Sequence, residues 1–241
     1  MIRTGGTLYL VPNLLGLVPP ESVLPARTIA CARGLRRFVV ENLKPARQFL
    51  KTLALDVPIA SLAIDALPQA PTATDCEVLL APARAGEDVG VLSDAGCPGI
   101  ADPGAALVAC AHRDGVRVVP LVGPSAVLLG LMASGLNGQR FLFHGYLPVD
   151  SAARRQALRD IDEDIGRTGA THLFIETPYR NQAMVDAVLA SCRPGTHLCI
   201  AADLTLPSEW IASRRVDAWQ RHRPTGLAKR PTLFLLGYAA V

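Results

Sequence analysis

The sequence predicts an α/β fold in two domains, and three observations predict it. Short apolar runs alternate with helix-length patterns from residue 7 to residue 237, the rhythm of strands and helices stacked in layers. Half of the 241 residues are hydrophobic, enough for one large core or two small ones. A polar, charged segment opens at Asp150, and the alternation restarts behind it. The expected division is therefore a first domain over 1–146 and a second over 147–241.

Each element follows from local pattern. Residues 7–12 form a short apolar strand, and Asn13-Leu14-Leu15-Gly16 is the loop after it. A helix is expected over 22–32 and a strand over 37–41. Residues 45–55 read as a helix, with Pro45 in its first turn and Phe49, Leu50 and Leu53 on one side. A further helix is expected over 75–85. Val89-Gly90-Val91-Leu92 is a strand, and 104–113 is a helix that Gly115 breaks. Residues 116–121 read as a strand and 126–133 as a buried helix. Pro120, Gly123, Pro124 and Ser125 interrupt the apolar stretch containing them, so it is not a membrane span. In the second half, strands are expected over 141–143, 171–175, 197–202 and 231–237. Helices are expected over 151–164 and 181–192, and 210–219 either pairs or coils.

Composition narrows the function. Aromatics make up 5% of the chain, too few for the stacking platform of a single-strand binder. The net charge of +3 is mild, but its distribution is uneven: residues 27–51 carry seven basic residues and one acid, whereas 56–102 carry eight acids and one base. A second basic cluster, with six basic residues and His222 against Asp217, spans 214–230. Two readings stand: the basic clusters share a face that attracts an anion such as a nucleic acid, or each is a separately solvated surface. The six cysteines form no C-x-x-C and no zinc-finger spacing. Residues 1–6 do not resemble a signal peptide, so a reduced, cytoplasmic protein with idle thiols is expected.

The richest motif is Ser93-Asp94-Ala95-Gly96-Cys97-Pro98-Gly99-Ile100-Ala101-Asp102-Pro103-Gly104. It lies between an apolar strand and a helix, where open α/β sheets bind small molecules. It is longer than a simple connection requires. The loops over 12–16 and 122–125 also follow apolar strands, and in a parallel sheet all three emerge at one edge. There is no G-x-G-x-x-G after the first strand, no phosphate-binding G-x-x-x-x-G-K-[ST] loop, no H-E-x-x-H and no G-x-S-x-G. Ser125 thus reads as a hydrogen-bonding partner rather than a nucleophile. With no histidine nearby in sequence to activate it, Cys97 is not read as a catalytic thiol. His144 and His172 read as structural histidines. Glu176-Thr177-Pro178-Tyr179-Arg180 is either a site element or a helix cap at Thr177.

Together, Gly6-Thr7-Leu8-Tyr9-Leu10-Val11-Pro12, the 93–104 motif, Val122-Gly123-Pro124-Ser125-Ala126 and Glu176-Thr177-Pro178-Tyr179-Arg180 resemble the tetrapyrrole methylase superfamily. Ala133-Ser134-Gly135-Leu136 and Arg140-Phe141-Leu142-Phe143 make the chain most similar to the branch that 2′-O-methylates a cytidine of small-subunit ribosomal RNA. The resemblance implies two α/β domains with a cofactor cleft between them, S-adenosylmethionine as cofactor, a homodimer and ribosomal RNA as partner; no metal and no membrane are expected, since the sequence shows neither a metal-ligand motif nor a membrane span. It assigns Leu15, Asp94, Gly96, Cys97, Ser125, Ala126, Thr177, Ala202 and Thr232 to the cofactor. Arg36, Arg37, Lys44, Arg47 and Arg180 would hold RNA phosphates, and Glu41 and Asp102 are the candidate bases.

The chain departs from that branch in two motifs. An E-D-T-R run is replaced by Glu41-Asn42-Leu43-Lys44, and an A-R-E-L-T-K run by Ala202-Asp203-Leu204-Thr205-Leu206. Few residues follow Gly237, so the chain reads as a shortened paralogue. Three functions remain: an RNA methyltransferase, a methyltransferase for a small tetrapyrrole-like acceptor, and a relative that binds without turnover.

Overall fold

Residues 5–239 are described by a computed structural model. Met1 to Thr4, on which the reading of the chain's start partly falls, lie outside the described residues. The chain divides after Ser125 into two units, earlier than the expected 146/147.

The first unit alternates strand and helix: β1 (Thr7–Leu10), α1 (Ala26–Gly34), β2 (Arg37–Val40), α2 (Leu43–Thr52), β3 (Ala63–Ala66), α3 (Ala73–Arg84), β4 (Val89–Leu92), α4 (Gly104–Arg113) and β5 (Arg117–Pro120). The strands form one sheet in the order β3-β2-β4-β1-β5, and every pairing is parallel. Alternate side chains feed two cores, as strand pleating requires. Phe38, Val40 and Leu92 pack with α1 and α2, while Val39, Val89 and Val91 pack with α3 and α4. Pro25 immediately precedes α1, so this helix begins later than expected. Thr72 and Asp75 close a reciprocal capping box on α3. The edge strand β3 was not expected from sequence and pairs only with β2.

The second unit opens with α5 (Ala126–Ser134) and β6 (Phe141–Tyr146), followed by α6 (Ser151–Thr168), β7 (Thr171–Glu176), α7 (Asn181–Ser191), β8 (His197–Ala202), β9 (Trp210–Arg215), α8 (Val216–Arg221) and β10 (Thr232–Gly237). Its sheet is mixed, in the order β6-β7-β10-β8-β9. Only β6 and β7 run parallel; the other pairs are antiparallel. The early division follows from packing, because β6 pairs with β7 and α5 packs on β10. Gly130 permits that close approach: a Cβ there would lie 2.4 Å from Leu233 Cδ2. The 210–219 segment, open in the sequence, splits into β9 and α8. No helix among the described residues is long and apolar enough to cross a membrane.

Inside the second core, the buried Asp162 on α6 accepts from Arg193 Nε at 2.6 Å, from the Arg193 backbone N–H at 3.2 Å and from the Thr196 hydroxyl. Asp162→Ala leaves these donors without their acceptor and should destabilise the chain by about 2 kcal/mol, the range for stranded buried polar groups. Urea denaturation checks this; an unchanged midpoint would show that water replaces the carboxylate at no cost.

Candidate functional site

In the first unit β4, β1 and β5 lie side by side and parallel, so each delivers its following loop to the same sheet edge. The three loops converge there as expected. Asn13, buried in the loop after β1, joins two of them. Its Nδ2 donates to the Ser93 and Asp94 carbonyls at 3.0 Å each, its backbone N–H donates to Gly96 O at 2.8 Å, and its Oδ1 accepts from Leu14 N–H at 2.7 Å. The third loop closes against both. Cys97 Sγ lies 3.4 Å from the Pro124 carbonyl. A Cβ at Gly123 would lie 2.3 Å from Pro12 Cβ, so only glycine fits there. Gly96, at φ +70°, takes the left-handed conformation that glycine adopts without strain.

Asp94 occupies the centre of this edge. Its N–H donates to Glu41 Oε2 at 3.0 Å, and its Oδ2 accepts from Asn42 Nδ2 at 2.8 Å. Its Oδ1 is buried with no hydrogen-bond partner. Asn42 stands at the N-cap of α2 but makes no side-chain cap bond, so the helix forgoes about 1 kcal/mol of capping. An unpaired buried oxygen carries a further cost of about 1–3 kcal/mol. Both costs bear on the same carboxylate, which is left with one oxygen short of a donor. Beside it is a cavity of about 150 Å³ walled by Asn13, Leu15, Pro45, Gln48, Phe49 and Asp94.

The two candidate bases have different surroundings. Asp102 accepts from Gly99 N–H at 2.9 Å and Gly104 N–H at 2.6 Å, so it staples the loop into the start of α4. Asp102, one of the two candidate bases, thus has both carboxylate oxygens engaged by backbone N–H groups. Burial pushes the Glu41 carboxyl above its ordinary range, the Asp94 N–H opposes this, and the Asp94 and Asp102 charges add to the rise. Burial also raises the Cys97 thiol, with a further push from Asp102, which disfavours a thiolate nucleophile.

The basic candidates separate. Arg37 opens β2 opposite Val89, the first residue of β4, so Arg36 and Arg37 stand at the sheet edge opposite the loops. Arg37 is paired with Asp65 and Glu87 at 3.1 Å each, and Arg36 Nη1 donates to the Arg33 and Leu35 carbonyls. Strand direction therefore overturns the expectation that these two arginines join the site. Lys44 and Arg47 sit on α2, whose Pro45, Gln48 and Phe49 wall the cavity.

In the second unit, Thr232 pairs with both Glu176 and Ala202, which brings Thr177, Ala202 and Thr232 to one end of that sheet. Glu176 Oε1 accepts from the Thr177 N–H and hydroxyl and from Arg180 Nε and Nη2, the last at 2.7 Å. Arg180 thus turns its fork onto Glu176 rather than outward to a phosphate, and Thr177 makes no helix-capping bond. Asn181, not singled out from sequence, donates through Nδ2 to Leu227 O, Arg230 O and Thr232 Oγ1. Ser125 is buried behind β5, and Ala126 is the first residue of α5. His144 Nε2 lies 2.8 Å from His172 Nδ1, and His172 Nε2 lies 3.0 Å from Asp164 Oδ2. Burial lowers both histidines, in keeping with structural roles.

The chain is 30% identical over 238 residues to ribosomal RNA small subunit methyltransferase I of Escherichia coli O157:H7, covering 98% of this chain and 79% of that protein. It is 31% identical over 177 residues to the protein of that name from Pseudomonas aeruginosa, covering 73% of this chain and 58% of that one. In fold it is similar to the crystal structure of the methyltransferase CobJ, with a TM-score of 0.64 at 19% identity over 98% of this chain and 95% of that one. No family model matches the chain.

The raised Glu41 carboxyl has a consequence for stability. The folded state holds its proton to higher pH than the unfolded chain does, so ionised Glu41 costs stability above the ordinary carboxylate range. The cost disappears as pH falls through that range. Glu41→Gln keeps an acceptor for Asp94 N–H, and its melting temperature should gain on the parent's between about pH 4 and about pH 7. Thermal denaturation at both pH values checks this; a difference independent of pH would place Glu41 in ordinary solvent.

Proposed function

The chain belongs to the ribosomal RNA small subunit methyltransferase I family, and from that membership we propose that it transfers the methyl group of S-adenosylmethionine to a ribose hydroxyl of structured ribosomal RNA. The observation that carries the cofactor assignment is Asp94 Oδ1, buried and unpartnered beside the cavity. The residues present fit that cofactor. A carboxylate oxygen without a donor suits a ribose hydroxyl, while Leu14, Leu15 and Phe49 supply an apolar wall. Gly96 and Gly123 let backbone from separate loops draw close around the same space.

S-adenosylmethionine, when bound, supplies a methyl group already activated on a sulfonium. The chain's own residues have two tasks. The first is positioning: Asn13 and Asp102 fix the loops, and Asp94 fixes the ligand, so that the acceptor meets the methyl group in line. The second is proton removal from the acceptor hydroxyl. Glu41 is the candidate left once Asp102 is spent on the loop. Only its Oε2 is engaged, and its raised affinity for a proton suits a general base. RNA as acceptor is supported by the relatives' names. A second copy of the chain as partner is supported by apolar side chains left open on the second unit, with Leu128 52%, Met132 80% and Tyr146 60% exposed.

Two measurements test the proposal. Calorimetric titration with S-adenosylmethionine should show binding, and Asp94→Ala should weaken it by about tenfold to a hundredfold, as expected for a lost charge-assisted hydrogen bond. Unchanged affinity in that variant would refute the placement of the site. Incubation with tritiated-methyl cofactor should label small-subunit ribosomal RNA from cells lacking the protein. Label appearing only in the small-molecule fraction would move the acceptor to another class.

A further inference from the structure

Helix α2 has two faces. Ala46, Phe49 and Leu50 are buried in the core, whereas Lys44, Arg47 and Lys51 are exposed on the other side. Their spacing of three and then four residues aligns the cations along one stripe. With Leu43 and Gln48 they line an open concavity of about 420 Å³. Gln48 also walls the cavity beside Asp94, so the stripe and the cavity are neighbours within one unit.

Fold stability accounts for Lys51 alone, which stands in the last turn where the helix dipole favours a cation. Like charges three or four residues apart weaken a helix by a few tenths of a kcal/mol each. Lys44 also lies in the first turn, where the helix dipole disfavours a cation. Among the described residues none of the three has an ion-pair partner, whereas Arg37, Arg84, Arg180, Arg193 and Arg230 are all paired. The nearest acid along the chain is Glu41, and its Oε2 is engaged by Asp94. What the stripe lacks is an anion.

We propose that Lys44, Arg47 and Lys51 of α2 form the track that holds the sugar–phosphate backbone of the RNA substrate beside the Asp94 cavity. This deepens the RNA reading above and rests on it. The geometry suits a strand: Lys44 and Lys51 are about 10 Å apart along the helix axis at about 1.5 Å per residue. A nucleic-acid strand lying along that length presents about two phosphates to the three cations. Such contacts supply affinity and register without reading sequence, so base choice rests elsewhere.

The test is filter binding of small-subunit ribosomal RNA across a salt series, with the parent chain and with Lys44→Gln/Arg47→Gln/Lys51→Gln. Glutamine keeps helix propensity at exposed positions, and thermal melting confirms folding. The triple variant should lose at least tenfold in affinity, and its log–log salt slope should be shallower by about two. Its affinity for S-adenosylmethionine should match the parent's. Arg117→Gln removes a cation from the opposite sheet edge and should leave the slope unchanged. A folded triple variant with the parent's slope would overturn the track while leaving the RNA reading intact, and so would an equal loss per charge in Arg117→Gln. A parent that binds cofactor but no RNA would overturn both. Polyglutamate competing as well as RNA at equal charge would show an unselective anion surface and also overturn the assignment.

Discussion

The candidate site depends on the hydrogen bonds of one buried side chain. Asn13 leaves the end of β1 and uses its amide on the loop after β4, 80 residues away. A loop as long as 93–104 has many conformations, and ordering each residue costs about 1–2 kcal/mol of backbone entropy. Asn13 meets two consecutive carbonyls of that loop and, through its backbone, a third. Asp102 fixes the other end by engaging Gly99 and Gly104. Between these anchors Asp94 has little freedom left. Its position is set by the parallel sheet below and the two staples beside it.

That arrangement places a carboxylate where fold stability alone would not. Asn42 engages Asp94 and leaves α2 uncapped. Glu41 is held against the Asp94 N–H although burial disfavours its charge. Ala101 adopts φ +62° within the same loop, a conformation costing an alanine about 1–2 kcal/mol. These costs all collect at one sheet edge, which is where a binding site concentrates strain.

Some of this was legible in the sequence because the signals are local. β4 and α4 stand where the apolar run and the glycine punctuation place them, and the convergence of three loops needed only strand direction. Other features rest on partners far along the chain. Residues 63–66 have no continuous apolar run, and β3 exists because β2 offers an open edge. Asn13 and Asn42 look like ordinary turn residues until folding brings partners 80 and 52 residues away into reach. The cations over 36–47 form a single cluster in sequence, but β2 separates them: Arg36 and Arg37 stand at the strand's start, and Lys44 and Arg47 lie beyond its end. Arg180 looked free because its acceptor, Glu176, reads as the end of a strand rather than as a partner.

The two edges of the first sheet divide stability from binding. At the edge where strands begin, polar groups are matched: Arg37 bridges Asp65 and Glu87, and Thr7 N–H donates to Asp88 at 2.8 Å. Exposed pairs of this kind contribute less than about 1 kcal/mol each, and they match Arg37 with two acids at once. At the edge where strands end, Asp94 has an oxygen without a donor and α2 carries three cations without an anion. The edge where strands end is thus short of a donor at Asp94 and of an anion along α2. A molecule bringing hydroxyl groups to Asp94 and a polyanion lying along α2 would satisfy both deficits, so the helix whose Pro45, Gln48 and Phe49 wall the Asp94 cavity would also seat a polyanion on its cationic stripe.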